Sequence, residues 1–194
     1  DALEDCFTAA LPKLAQGQER LFLLKCLQKA NKAVYEESLK DPANKGMGTT
    51  AVCALVRDGT AHIAHVGDSR AYLYRPGQFA RLTKDHSMVQ QMVESGQLTS
   101  QQAERHPRKN LITKALGVEP EVEGDYTFAA VQQGDILLLC SDGLSGAVPD
   151  GELEQILGHT PFFITPRKLI EQALQAGSQD NVTALVIGVE PTEE

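Results

Sequence analysis

The run from Ile136 to Cys140 is the feature that most constrains the fold of this chain. Its five consecutive apolar residues are too few to cross a membrane, and they are typical of a strand buried on both faces. The polar corner Ser141-Asp142-Gly143 follows directly. A carboxylate at the end of a buried strand is held rigidly and is well placed for a metal or a catalytic group. On its own, however, Asp142-Gly143 favours a simple turn, because Asp and Gly occupy turns for backbone reasons.

Length and charge exclude several classes of protein. With 194 residues, of which 42% are hydrophobic and 23% charged, we expect one globular domain with a sizeable core. The net charge of −8 argues against a nucleic-acid partner, which requires a basic face. Residues 1–5 are acidic and helical in pattern, which is not typical of a signal peptide. We therefore expect a cytoplasmic protein without nucleic-acid or membrane partners.

The cysteines show no spacing that indicates a metal site. Cys6, Cys26, Cys53 and Cys140 contain no C-x-x-C pair, and two of them lie in apolar strand patterns. We expect four buried free thiols in a reducing compartment, and neither a disulfide framework nor a zinc site.

Hydrophobic periodicity predicts helices first and then mostly strands. Asp58-Gly59 joins two strand-like runs and is a strong hairpin signal. Residues 84–109 are polar, with two predicted capping boxes (Ser87 with Gln90, Thr99 with Gln102), and such a long connection is often a lid or binding flap. We predict helices at 3–14 and 18–39, strands at 49–57, 60–66, 71–75, 79–83, 126–131, 135–140 and 182–189, and helices capped by Asp150 and Thr165. Residues 111–116 are expected to return to the core.

Two histidines lie in the second strand of the predicted hairpin. His62 and His65 are three residues apart, so they lie on opposite faces of the strand and cannot form a pair. We expect both to be ordinary strand histidines and not metal ligands.

Three aspartates share one context, since each abuts an apolar strand. Asp68 follows residues 63–66, Asp142 follows residues 136–140, and Asp180 precedes residues 182–189. Strand ends of an antiparallel sandwich can converge at one rim. Three carboxylates with few nitrogen or sulfur neighbours favour a hard cation, Mg²⁺ or Mn²⁺ before Zn²⁺. Such ions suit phosphate-ester chemistry, because they polarise phosphoryl oxygens and lower the pKa of a bound water.

Six short motifs occur in register along almost the whole chain. They are residues 46–51 (GMGTTA), 66–72 (VGDSRAY), 82–87 (LTKDHS), 110–117 (NLITKALG), 140–144 (CSDGL) and 180–183 (DNVT). Any one of them is weak, but together they closely resemble the metal-dependent (PPM-type, or type 2C) serine/threonine protein phosphatases in their compact bacterial form. The resemblance implies an α+β fold, a four-layer α-β-β-α sandwich of two antiparallel sheets flanked by helices.

The resemblance also implies a site and a reaction. Asp142 and Asp180 match ligands of the family's binuclear metal centre, and Asp68 matches the aspartate of its third, more weakly bound metal. The resemblance implies two or three Mn²⁺ or Mg²⁺ ions per intact site. It also implies that a metal-activated water hydrolyses phosphoserine or phosphothreonine in proteins. The implied partners are phosphorylated protein substrates and an opposing serine/threonine kinase. Residues 84–109 match the flap beside the active site.

The chain departs from the family pattern at its start. The family's Asp-Gly-Met-Gly-Gly-type motif, which carries a bridging aspartate, and its phosphate-binding arginine have no match. Lys45-Gly46-Met47-Gly48 has lysine where the aspartate would stand. We expect both elements to lie upstream of residue 1. Residues 1–190 are then a single phosphatase-like domain that begins within its first helix and is incomplete at its N-terminus. We expect this fragment alone to be impaired in activity. Residues 191–194 are expected to be a tail.

Two alternatives remain open at the level of the sequence. One is a non-catalytic pseudophosphatase or partner-binding module of the same fold, which the missing aspartate favours. The other is a phosphatase of the same fold that acts on a small phosphate ester. Asp68, Asp142 and Asp180 together favour the enzyme, because a binding module has no need of three carboxylates.

Overall fold

The computed structural model describes residues 2–190, and the predicted tail at residues 191–194 lies outside the described residues. The α-helices are α1 (Ala2–Ala10), α2 (Glu19–Ser38), α3 (Met88–Glu94), α4 (Ser100–Glu104), α5 (Asp142–Ser145), α6 (Asp150–His159) and α7 (Thr165–Gln175). The strands are β1 (Ala51–Arg57), β2 (Thr60–Val66), β3 (Arg70–Arg75), β4 (Gln78–Arg81), β5 (Asp125–Ala130), β6 (Ile136–Cys140) and β7 (Ala184–Gly188). Short 3₁₀ turns occur at Leu11–Lys13, Pro42–Asn44 and Phe162–Ile164.

The strands form two sheets. A three-stranded sheet has the order β1-β2-β5, and a four-stranded sheet has the order β4-β3-β6-β7. The hairpin between β1 and β2 turns at Asp58 and Gly59, whose φ angles of 47° and 69° are both positive. A two-residue turn of this kind matches the twist of antiparallel strands, and it explains the Asp-Gly sequence. The helices together with these two sheets confirm the predicted α+β class.

The apolar run from Ile136 to Cys140 forms the interior strand β6, as predicted. It pairs antiparallel with β3 on one side, where Arg70 opposes Cys140, and with β7 on the other, where Cys140 opposes Ala184. Residues 137–140 are all buried. An interior strand covered on both faces needs an unbroken apolar run, which is what the sequence provides.

The described residues cluster into two compact units. The first comprises residues up to 55 together with 62–68 and 85–127, and the second comprises 56–61, 69–84 and the residues from 128 onward. The expectation that residues 1–190 are one phosphatase-like domain stays a prediction.

The core of the first unit packs α2 against residues of β1 and β2. Leu23, Cys26 and Leu27 of α2 are fully buried there, with Ala64 and Val66 of β2. Cys6 of α1 and Cys26 of α2 form a disulfide, so the expectation of four free thiols was wrong for these two residues. Sequence spacing did not show that the two helices pack side by side. Cys53 and Cys140 are buried free thiols, as expected.

The core of the second unit lies between the four-stranded sheet and helices α5, α6 and α7. Tyr72 and Leu138 of the sheet pack with Leu144, Leu153 and Leu169 of the helices, and all five are fully buried.

An ion pair joins the last residue of β3, Arg75, to Asp135. Arg75 donates from Nε to Oδ1 of Asp135 at 2.8 Å and from a terminal nitrogen to Oδ2 at 2.7 Å. This two-point contact and the hydrogen bond from the Gln132 amide lower the pKa of Asp135, which is almost fully buried. The charge of Asp135 is thus stabilised inside the unit.

Several local predictions need correction. Asp150 and Thr165 are the first residues of α6 and α7, and neither caps its helix. Asp150 accepts from the Tyr72 hydroxyl instead, and the Thr165 hydroxyl donates to the Pro161 carbonyl. The capping box at Thr99 is complete, whereas Ser87 only accepts from the amide of Gln90.

Residues 111–116 enter the core only in part. Leu116 is buried, but Leu111 and Ile112 are 47% and 40% exposed. Within residues 2–190, no helix has the length and apolar character needed to span a bilayer.

Candidate metal centre

Asp142 lies where β6 ends, as the first residue of the one-turn helix α5. Its side chain is half-buried. The next residue, Gly143, is packed so closely against the Asn181 carbonyl that a Cβ atom would overlap it. Glycine at 143 therefore lets the segment before β7 approach the end of β6.

Hydrogen bonds tie the segment that carries Asp180 to this corner. The Ser141 hydroxyl donates to the Asn181 carbonyl at 3.2 Å and accepts from the Thr183 amide at 3.0 Å. The Ser178 hydroxyl donates to the Gly143 carbonyl at 2.8 Å. The structure thus brings the loops of two predicted ligands, Asp142 and Asp180, together.

These two residues offer only carboxylate oxygens. Within residues 2–190, no group of three or more His, Cys, Asp and Glu side chains is placed to hold a metal ion. Two carboxylates nevertheless suit Mg²⁺, which proteins commonly hold through one or two carboxylates while several waters complete the shell. The oxygen-only donor set fits a hard cation and does not fit zinc.

Asp68, the third predicted ligand, belongs to the first compact unit and follows the end of β2. The residue before it, Gly67, has a φ of +102°, and a Cβ atom there would overlap the side chain of Thr50. Both the backbone conformation and the lack of space require glycine at this position. The half-buried Asp68 side chain therefore starts from a turn with a fixed course.

A buried histidine contacts this turn. The Nδ1 atom of His86 accepts from the Gly67 amide at 3.1 Å, and its ring stacks on His65 with centroids 4.8 Å apart. Its Nε2 atom lies 3.2 Å from Oδ1 of Asp125, and Lys114 lies 3.5 Å from the same oxygen. His62, on the other face of β2, contacts the Tyr126 hydroxyl at 2.7 Å, which is consistent with the predicted opposite faces.

The environment favours neutral His86. Burial lowers its pKa below the ordinary value of 6.5, and His65 lowers it further, while Asp125 acts in the opposite direction. For Asp125, burial acts to raise the pKa, but the neighbouring His86 and Lys114 outweigh it, so that the pKa of this carboxyl is lowered.

Sequence reasoning assigned no role to the residues that support these turns. Ser141, Ser178 and His86 act through contacts that join distant parts of the chain. His86 lies inside one of the six motifs, residues 82–87, and that was the available signal. The position of Asp125 beside it had no sequence signal.

Comparison with known proteins places this chain among phosphatases. The family model of protein phosphatase 2C matches residues 3–92. The serine/threonine phosphatase stp of Listeria monocytogenes serotype 4b (strain F2365) is 36% identical over 193 residues, which cover 99% of this chain and 77% of that protein.

Solved structures show the same likeness. The serine/threonine phosphatase PstP/Ppp of Mycobacterium tuberculosis matches with a TM-score of 0.89 at 34% identity, over 98% of this chain and 80% of that chain. The catalytic domain of PstP in complex with two manganese ions matches with a TM-score of 0.85 at 33% identity, with the same coverage. This likeness confirms the predicted fold class, in which two antiparallel sheets are flanked by helices.

Proposed function

The chain belongs to the protein phosphatase 2C family, and on this premise we propose that it hydrolyses phosphoserine and phosphothreonine side chains of proteins. The observation that carries the proposal is the convergence of the Asp142 and Asp180 loops at the end of a fully buried strand. Catalytic constellations need such rigid support, because small displacements of reacting groups are costly to the rate.

We assign Asp142 and Asp180 as ligands of Mn²⁺ or Mg²⁺, and Asp68 as a ligand of a further, more weakly bound ion. We propose two or three such ions for the intact protein; the PstP catalytic domain carries two manganese ions. When bound, such ions polarise phosphoryl oxygens and lower the pKa of a coordinated water. The manganese-bound PstP catalytic domain supports the assignment by analogy.

Residues near the proposed ligands hold those ligands in position. Ser141 and Ser178 fasten the Asp180 loop to the Asp142 corner through neutral hydroxyls, so these contacts do not depend on pH near neutrality. Residues 84–109, with helices α3 and α4, are proposed as the flap that influences substrate access.

The proposed partners follow from the reaction. The substrates are phosphorylated proteins, and a serine/threonine kinase must supply the phosphate groups that the enzyme removes. We propose a cytoplasmic location for this phosphatase.

The test is Mn²⁺-dependent hydrolysis of a phosphothreonine peptide by the full-length gene product. Asp142→Asn and Asp180→Asn should each lower kcat/KM by about 100-fold or more, because Lewis-acid stabilisation contributes several kcal/mol to the transition state. Asp41→Asn is the matched control, because Asp41 caps a surface 3₁₀ turn and Asn caps equally well.

Full activity in either site variant would refute the ligand assignment. Absence of hydrolysis in the wild-type protein, with phosphopeptide binding retained, would instead favour the non-catalytic binding module.

A further inference from the structure

The turn before Asp68 is clamped by a single residue at two points. The His86 amide donates to the Gly67 carbonyl at 3.0 Å, and the Gly67 amide donates to His86 Nδ1 at 3.1 Å. Gly67 is buried, so its amide has no access to solvent and depends on this acceptor. The direction of the chain as it enters Asp68 is therefore fixed by a ring nitrogen of His86.

The His86 ring can accept at Nδ1 only in one tautomer. The proton of the neutral ring must then lie on Nε2, which is 3.2 Å from Oδ1 of Asp125 but does not meet hydrogen-bond geometry with it. Lys114 lies near the same carboxylate and partly balances its charge. The negative charge of this nearby carboxylate favours a proton on Nε2, and so favours the tautomer that leaves Nδ1 without a proton.

Packing fixes the orientation of the ring as well. His86 stacks on His65 with an interplanar angle of 17°, and the two side chains are 8% and 2% exposed. The His86 carbonyl also accepts from the Thr113 amide at 2.7 Å, which anchors the residue from its backbone. The ring is thereby held by stacking on His65 and by the main-chain hydrogen bonds of its own residue.

We infer that His86 is a positioning residue for Asp68, and that it acts on the weaker metal site by holding the Gly67 turn through Nδ1. The inference rests on the proposed function, because it takes Asp68 as a ligand. His86 itself is assigned no contact with substrate or metal. Asp125 serves the same end through the tautomer of His86.

The decisive experiment compares two amide variants of the full-length protein by Mn²⁺ titration, with free Mn²⁺ measured by electron paramagnetic resonance. His86→Asn supplies an acceptor near the Nδ1 position, whereas the acceptor of His86→Gln lies near Nε2. The weakest Mn²⁺ site should lose about 10- to 100-fold in affinity in His86→Gln and only a few fold in His86→Asn. His62→Gln, on the other face of the strand, should bind as the wild type does.

A purely packing role for His86 predicts the opposite order, because Gln fills more of the ring's volume than Asn. Equal affinities in the two variants, or tighter binding in His86→Gln, would overturn the inference. Thermal unfolding of each variant identifies any general loss of folding. The order of the two Mn²⁺ affinities then decides between a positioning role and a packing role for His86.

A second readout does not depend on metal or activity. In the metal-free wild type, long-range ¹H–¹⁵N spectra should show His86 protonated at Nε2 and unprotonated at Nδ1. A proton on Nδ1 would refute the inference even where the protein is an active phosphatase. Failure of the wild type to bind Mn²⁺, with the expected tautomer present, would refute the assignment of Asp68 as a ligand and hence both proposals.

Discussion

The turns that carry Asp142 and Asp68 are both held rigidly, but by different chemical groups. Each places an aspartate just after a buried strand, next to a glycine that has no room for a Cβ atom. At Asp142 the support consists of serine hydroxyls and backbone groups, which do not titrate near neutral pH. At Asp68 the support is the ring of His86, whose pKa is lowered from 6.5 by burial and by His65. The two proposed ligands should therefore differ in their response to pH.

The largest expected effect concerns the glycine of the first corner. In Gly143→Ala the new Cβ atom would overlap the Asn181 carbonyl, and backbone atoms cannot rotate away as a side chain can. We expect a loss of about 3 kcal/mol in the free energy of unfolding, measured by urea denaturation, because overpacking of a well-filled site costs this much.

Gly151→Ala is the matched control for that change. Gly151 lies in α6, where a Cβ atom added to it would meet no other atom within 4 Å. Replacement by alanine should therefore raise the free energy of unfolding by about 0.5–1 kcal/mol. Similar unfolding midpoints for the two variants would show that the Asp142 corner is not tightly packed.

A smaller effect should separate the two corners by pH. Because the pKa of folded His86 lies below 6.5, the unfolded chain binds the proton more readily. The contribution of His86 to stability is complete above pH 6.5 and declines as pH falls through its lowered pKa. Denaturant unfolding at pH 7.5 and pH 5.5 should show this decline, and His86→Asn should reduce it.

The same linkage predicts a distinct acid limb. Asp125 and Asp135 have pKa values lowered from 3.8, so the stability they contribute is lost only as pH falls below that value. His62→Asn serves as the control between pH 7.5 and 5.5. If His86→Asn and wild type lose the same stability over that interval, titration of His86 does not distinguish the corners.

The sequence was sufficient for features that depend on neighbouring residues. The five apolar residues at 136–140 predicted the buried strand, and Asp58-Gly59 predicted the hairpin. The predicted starts of the helices at Asp150 and Thr165 were misplaced by one residue. The Asp150 carboxylate accepts from Tyr72 in the sheet, and the Thr165 hydroxyl donates to the Pro161 carbonyl in the preceding turn, so neither side chain caps its helix. Local propensity does not contain that choice.

Features that depend on distant parts of the chain could not be predicted in this way. The Cys6–Cys26 disulfide requires the packing of α1 on α2, and the stacking of His65 on His86 requires the docking of residues 85–87 on β2. The ligand residues were proposed from motifs, but the serines and histidine that hold them became visible only in three dimensions.

The joint binding of a hard cation by Asp142 and Asp180 is the assignment on which the proposed activity depends. Its most direct test is calorimetric titration of Mn²⁺ into the full-length wild type, Asp142→Asn, Asp180→Asn and the Asp41→Asn control. We expect the tightest Mn²⁺ site to weaken by at least about 10-fold in both site variants and to stay unchanged in the control, since each site variant removes one charged ligand. Unchanged tight Mn²⁺ binding in Asp142→Asn or Asp180→Asn would contradict the assignment.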